Sequence, residues 1–394
     1  MTLFNNQSVV TTQQLHDALE HGHTAFVLLD VRNAEEFASW RIEGRHAPAA
    51  VRHIPYFDFL EDEAAAVAAL EADRALPIVV VCAKGGSSEF VADLLRERGF
   101  HVSNLEGGMS AWGDLLVEVD VPTGTSLVVK QLKRVGKGCL AYVVADGGQA
   151  LVIDPHRHVD AYQAIAQRLG ARITHVFDTH LHADHISGGQ RLAEATGATY
   201  LIDAHDAEGA KFDYRAIQAG ETIMLGNTAI TLMPLYTPGH TPGSASLLID
   251  GRFLISGDTL FVASIGRPDL GGKLQEWGRM LYRTLGPGGE LARLGDDVLV
   301  LPAHYAGLEE VRADGLVAGT LGAIRQTNAA LRLQSEADFV RFLEENQREA
   351  PAIYQEIRKV NLAWLQIDEE RARELDLGKN ECAASKACAS AQRH

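Results

Sequence analysis

The chain has 394 residues, of which 46% are hydrophobic and 22% charged, and its formal net charge is −16. That length exceeds what one hydrophobic core usually organises, so two domains are expected. The acidic balance argues against nucleic acid and anionic membrane as main partners, since both demand a basic face.

In chain order, MTLFNNQSVVTTQQ has no basic stretch followed by an apolar one, so no secretory signal is expected. AFVLLDV (25–31) is an apolar run of strand length, and AEEFASW (34–40) reads as helix. LPIVVVC (76–82) is a second buried strand, and SSEFVADLLRERG (87–99) an amphipathic helix with a glycine stop. HVSNLEGG (101–108) is strand and turn, and MSAW opens another helix. Apolar strands alternating with helices predict a parallel sheet covered on both faces. VEVDVPTGTS (117–126) reads as a linker. CLAYVVAD-GG-QALVID (139–154) predicts a hairpin around Gly147-Gly148. Further strands are expected in RITHVFDT, TIMLGNTAITLMPLY and SASLLID-GRFLISGD, with helices between, and from about residue 310 the chain reads as helical. The domains are therefore 1–120 and 125–394. No apolar run reaches the roughly 18 residues that span a bilayer.

VFDTHLHADHISGG (176–189) places His180, His182, Asp184 and His185 within six positions, between the end of an apolar strand and a helix expected to start near Asp184. His and Asp are good ligands for borderline and hard transition metals. More such residues follow at strand ends beside Gly or Pro: His240 in TPGHTPGS, Asp258 in LISGDTL and His304 in LVLPAHYAG. This motif series resembles the metallo-β-lactamase superfamily over about residues 125–310. The resemblance implies an αββα sandwich with a metal site at one edge.

Two versions of that site resemble the chain. In the persulfide dioxygenase type, His180, His240 and Asp258 would hold one Fe(II), the facial triad of non-haem iron enzymes. His182, Asp184, His185 and His304 would then orient the ligands. In the glyoxalase II type, a thioester hydrolase, two zinc ions would bind: His180, His182 and His240 around one, Asp184, His185 and His304 around the other, with Asp258 between. GDTLFVASIGRPDL favours the dioxygenase, in which Arg267 would grip the carboxylate of the thiol carrier. Tyr305 stands where that family often has Asp.

VVVCAKGGSSEF ends a strand on Cys82, then turns into a helix through small residues. Backbone N–H groups and the helix dipole would stabilise a thiolate or persulfide there. Lys84 adds charge, Gly85 and Gly86 allow a tight cradle, and Ser87 completes the loop. LLDVRNAEEF, CAKGGSS and LEGGMSAW resemble the rhodanese (sulfurtransferase) fold over about residues 10–118. That likeness implies that Cys82 carries a sulfane sulfur. Ser87 stands where many members carry Arg, which favours a thiol persulfide over thiosulfate as donor.

The fold expected is thus α/β: a rhodanese-like parallel-sheet domain, then an αββα metallo-β-lactamase-fold domain with a helical C-terminal extension. The activity implied is Fe(II) persulfide dioxygenation with a fused sulfurtransferase. Its small-molecule partners would be a thiol persulfide, O2, and thiosulfate or sulfite. A homo-oligomer is compatible with the sequence. Four sparse cysteines, Cys82, Cys139, Cys382 and Cys388, form no disulfide framework, so a reducing cytoplasm is the expected compartment. Cys139 reads as core, and Cys382 and Cys388 as tail cysteines without a role.

Overall fold

The computed structural model describes residues 7–218, 221–231 and 235–384, so Cys388 lies outside the described residues. The chain divides into two compact units. The first is built mainly from residues up to Leu116, and the second from Val117–Lys133, Gly138–Asp376 and the stretch from Asn380.

The first unit holds a five-stranded parallel sheet in the order Val9–Val10, Val102–Leu105, Ile78–Val81, Val27–Asp30, Ala50–His53. The three central strands are buried at every position, as a sheet covered on both faces requires. Helix Gly86–Glu97 packs Val91, Ala92 and Leu95 onto it. Helix Thr12–His21, which the apolar pattern did not reveal, opens on a capping box between Thr11 and Gln14.

The second unit has two sheets face to face. One has seven strands, in the order Arg215–Ala216, Thr199–Ile202, Arg172–Phe177, Gln149–Ile153, Cys139–Asp146, Val128–Arg134, Leu116–Val121. The other has six: Thr222–Leu225, Thr228–Thr231, Leu247–Ile249, Phe253–Gly257, Leu299–Pro302, Gly319–Thr320. Tyr142, Val144, Leu151 and Phe177 of the first meet Leu247, Ile249, Ile255 and Leu301 of the second in one core. Helices Val159–Arg168 and Gly189–Thr196 cover the first sheet's outer face, and Leu274–Leu285, Leu321–Thr327 and Glu336–Glu345 pack against the second. The layering is αββα. Backbone bonds also join the sheets at one edge: Leu140 N–H donates to Ala303 O at 2.7 Å and Tyr305 N–H to Gly138 O at 3.1 Å.

One local expectation holds and two shift. The hairpin turns on Gly147 and Gly148, both at positive φ. The stretch read as linker supplies the strand Leu116–Val121. The helix expected from Asp184 starts at Gly189. Donors before it are held elsewhere: Ile186 N–H by Asp376 Oδ1, Ser187 N–H by Asn361 Oδ1 and Gly188 N–H by Pro155 O. Among the described residues no helix is long and apolar enough to cross a membrane.

Candidate metal centre and cysteine loop

His180, His182, Asp184 and His185 sit on the loop after strand Arg172–Phe177, and all four are buried. Asp258 and His304 follow two strands that pair in parallel, so both leave the same end of the second sheet. His240 comes from the Gly-Pro loop, where Gly239 lies at φ 145 and an added Cβ would meet Leu281 at 2.4 Å.

The tautomers of two histidines follow from their neighbours. Thr179 Oγ1 lies 3.0 Å from Asp154 Oδ2 and 2.9 Å from His180 Nδ1. The hydroxyl has one proton and the carboxylate can only accept, so the proton goes to Asp154 and His180 Nδ1–H donates to Thr179. His240 Nδ1–H donates to Arg267 O at 2.9 Å. Both rings therefore present a bare Nε2 inward.

Those two nitrogens stand 3.7 Å (His180) and 3.4 Å (His240) from Asp258 Oδ2. His180 Nε2 and Asp258 Oδ2 are buried without a hydrogen-bond partner. Lone pairs facing a carboxylate oxygen repel unless a cation lies between them. Ligand atoms about 2.0–2.2 Å from one ion stand roughly 3–4 Å apart, so the three residues fit a metal ion. Burial lowers the pKa of both rings and keeps them neutral, as ligation requires.

The other four residues are tied to one another or to acids. His304 Nδ1 lies 2.5 Å from Asp258 Oδ1, and its Nε2 2.9 Å from Asp184 Oδ2. Burial would lower its pKa, but the two carboxylates prevail and raise it well above 6.5. Asp184 also faces His185 Nδ1 at 3.1 Å and Cys139 Sγ at 3.2 Å. His182 turns its Nε2 to Asp154 Oδ1 at 3.2 Å and groups with Asp154 and Asp178, apart from His180, His240 and Asp258. His182 Nδ1 and His185 Nε2 have no partner.

Sequence reasoning missed four residues around this centre. Asp154 receives Thr179 N–H, Thr179 Oγ1–H and His182 on one carboxylate, and sits at φ 49, a strained angle for Asp. Its signal was available: it ends an apolar strand, as Asp178 does. Thr179 lay inside the motif itself. Cys139, read as core, is buried but turns its sulfur to Asp184. Cys382, read as a tail residue, offers a sulfur within 4.8 Å of ligand atoms of Asp258 and His304. Nothing near it in sequence signalled that. Arg267 is buried, and the carboxylate it grips is Asp269, at 2.9 and 2.8 Å.

In the first unit, Cys82 follows strand Ile78–Val81 and is buried. Gly85 N–H points at its sulfur from 3.1 Å, and Ser88 Oγ stands 3.1 Å away. Ser88, not Ser87, makes this contact; Ser87 is partly exposed and Lys84 and Gly86 are exposed. Gly85 takes φ 103 as it enters the helix. Gly108 is equally constrained, because an added Cβ would lie 2.3 Å from Cys82 O.

Comparison with known proteins agrees with both units. Residues 134–304 match the Metallo-beta-lactamase superfamily, and residues 11–115 the Rhodanese-like domain. A hydroxyacylglutathione hydrolase of Anaeromyxobacter dehalogenans is 38% identical over 173 residues, 44% of this chain and 63% of that protein. The chain thus spans less than two thirds of that relative's length. The mitochondrial persulfide dioxygenase ETHE1 of Bos taurus is 26% identical over 226 residues, 56% of this chain and 82% of that protein. The crystal structure of ETHE1 from Myxococcus xanthus superposes with TM-score 0.51 at 27% identity, covering 63% of this chain and 99% of that one. The chain joins a rhodanese-like domain to a domain of the metallo-β-lactamase superfamily.

Proposed function

We propose that the second domain is a non-haem Fe(II) persulfide dioxygenase and the first a sulfurtransferase working through Cys82. One observation carries the reading: two bare Nε2 atoms and one carboxylate oxygen converge, while His304 has both its nitrogens, and Asp184 both its oxygens, against other protein groups. Two histidines and one carboxylate leave positions open for a substrate sulfur and O2. Iron held there supplies the redox chemistry, since zinc has none.

The net reaction is RSSH + O2 + H2O → RSH + H2SO3. The protein's share is positional. Thr179 and the Arg267 carbonyl hold the two rings at one tautomer, and His304 spaces Asp258 from Asp184. In the first domain Cys82 Sγ takes the outer sulfur of a persulfide, releasing the thiol. It passes that sulfur to sulfite, giving thiosulfate, or runs the exchange in reverse. Gly85 N–H and Ser88 steady the sulfur.

A second reading is a two-zinc thioester hydrolase. The 38% identity to a hydroxyacylglutathione hydrolase and the unpartnered His182 Nδ1 and His185 Nε2 favour it. Metal analysis of protein purified without oxygen, with O2 uptake on glutathione persulfide, separates the two. The dioxygenase gives about one iron per chain and rapid uptake, both lost in His240→Ala. About two zincs and hydrolysis of S-lactoylglutathione without uptake would overturn it.

A further inference from the structure

Strand Thr199–Ile202 pairs in parallel with Arg172–Phe177, so the loops that follow the two leave the same end of the first sheet. Asp206 lies in the first of these loops and is buried. Its carboxylate reaches both loops that carry the bare Nε2 atoms. Oδ2 accepts Leu181 N–H at 2.8 Å, next to His180, and Thr241 Oγ1–H at 2.7 Å, next to His240. Oδ1 accepts Gly243 N–H at 2.8 Å. Thr241 Oγ1 also stands 2.7 Å from Ser244 Oγ. The carboxylate can only accept, so Thr241 gives its proton to Asp206 and takes one from Ser244. Gly243 permits the close approach: a Cβ added there would lie 2.6 Å from Asp206 Cγ. A backbone bond, Ala245 N–H to Thr179 O at 2.9 Å, ties the same two loops on the other side of His180.

A buried carboxylate costs free energy unless its oxygens are hydrogen-bonded. Here three donors meet it, and all three belong to the loops that carry His180 and His240. We infer that Asp206 is a positioning residue of the metal centre, fixing the separation of His180 from His240 and so the aim of their two nitrogens beside Asp258. Leu181 and Thr241 directly follow the two histidines, so a shift of either residue carries its ring with it. Asp206 acts through these neighbours rather than as a ligand. The inference rests on the metal reading above.

Cobalt(II) titrated into the full chain tests it, because the visible bands of bound cobalt report the arrangement of its ligands and not the stability of the fold. Asp206→Asn keeps the shape but sets an NH2 group against a donor whichever way the amide turns. It should weaken cobalt binding roughly 10- to 100-fold, read by competition with a chelator, and shift the visible bands of the loaded protein. Thr241→Val keeps the carboxylate and removes one donor. It should shift the bands in the same direction and weaken cobalt about tenfold, and it decides the matter if Asp206→Asn does not fold. Wild-type bands in the fully loaded variants overturn the inference and leave the metal reading standing, because the Ala245–Thr179 bond would then suffice to hold the loops. Unchanged cobalt binding in His240→Ala brings down both.

Discussion

Thr179 Oγ1 stands 2.9 Å from His180 Nδ1 and takes its proton, having given its own to Asp154. Thr179→Val keeps the shape and removes the acceptor, so His180 loses its fixed tautomer. Metal affinity should fall roughly 10- to 100-fold, read by competition with a chelator, and Thr179→Ser should restore most of it. Equal affinity in the valine variant would show that the hydroxyl does not set the ring.

His304 separates two buried carboxylates. Removing one member of a buried charge network typically costs about 3–5 kcal/mol. His304→Ala should lower the stability of the metal-free protein by that order in chemical denaturation. A loss below about 1 kcal/mol would mean that Asp184 and Asp258 find other partners.

The metal-free protein should also weaken in alkali. Burial would lower the His185 pKa, but Asp184 and Cys139 raise it to about 10. A raised folded-state pKa adds stability that is complete below about 6.5 and is lost as pH climbs to about 10. The denaturation midpoint should fall from pH 7 to pH 10, and His185→Asn should flatten that slope. A slope unchanged by the variant would remove His185 as its source.

Ser88 and Ser87 provide a contrast within one loop. Ser88→Ala removes a hydroxyl 3.1 Å from Cys82 Sγ. One such bond is worth about 1–2 kcal/mol, so the rate of sulfur transfer to cyanide should fall roughly tenfold. Ser87→Ala should change it little. The opposite order would return the role to Ser87.

Much of this was legible in the chain. Strand-length apolar runs ending in Asp, His or Cys located Asp258, His304 and Cys82, because parallel sheets bury their strands and expose chemistry at their ends. The Asp184 helix start was misplaced because Asp376 and Asn361, distant in sequence, capture the N–H groups of Ile186 and Ser187. Cys382 was illegible for a related reason. Its position comes from pairing with Ile265–Arg267, more than a hundred residues upstream, and no local periodicity records such a contact.

The bonds from Leu140 to Ala303 and from Tyr305 to Gly138 make the two sheets one cooperative body at the edge that carries His304. Neither amide can reach solvent by fraying of a single strand. Both should therefore exchange with deuterium only through opening of the whole sandwich, far more slowly than amides of the outer strand Gly319–Thr320.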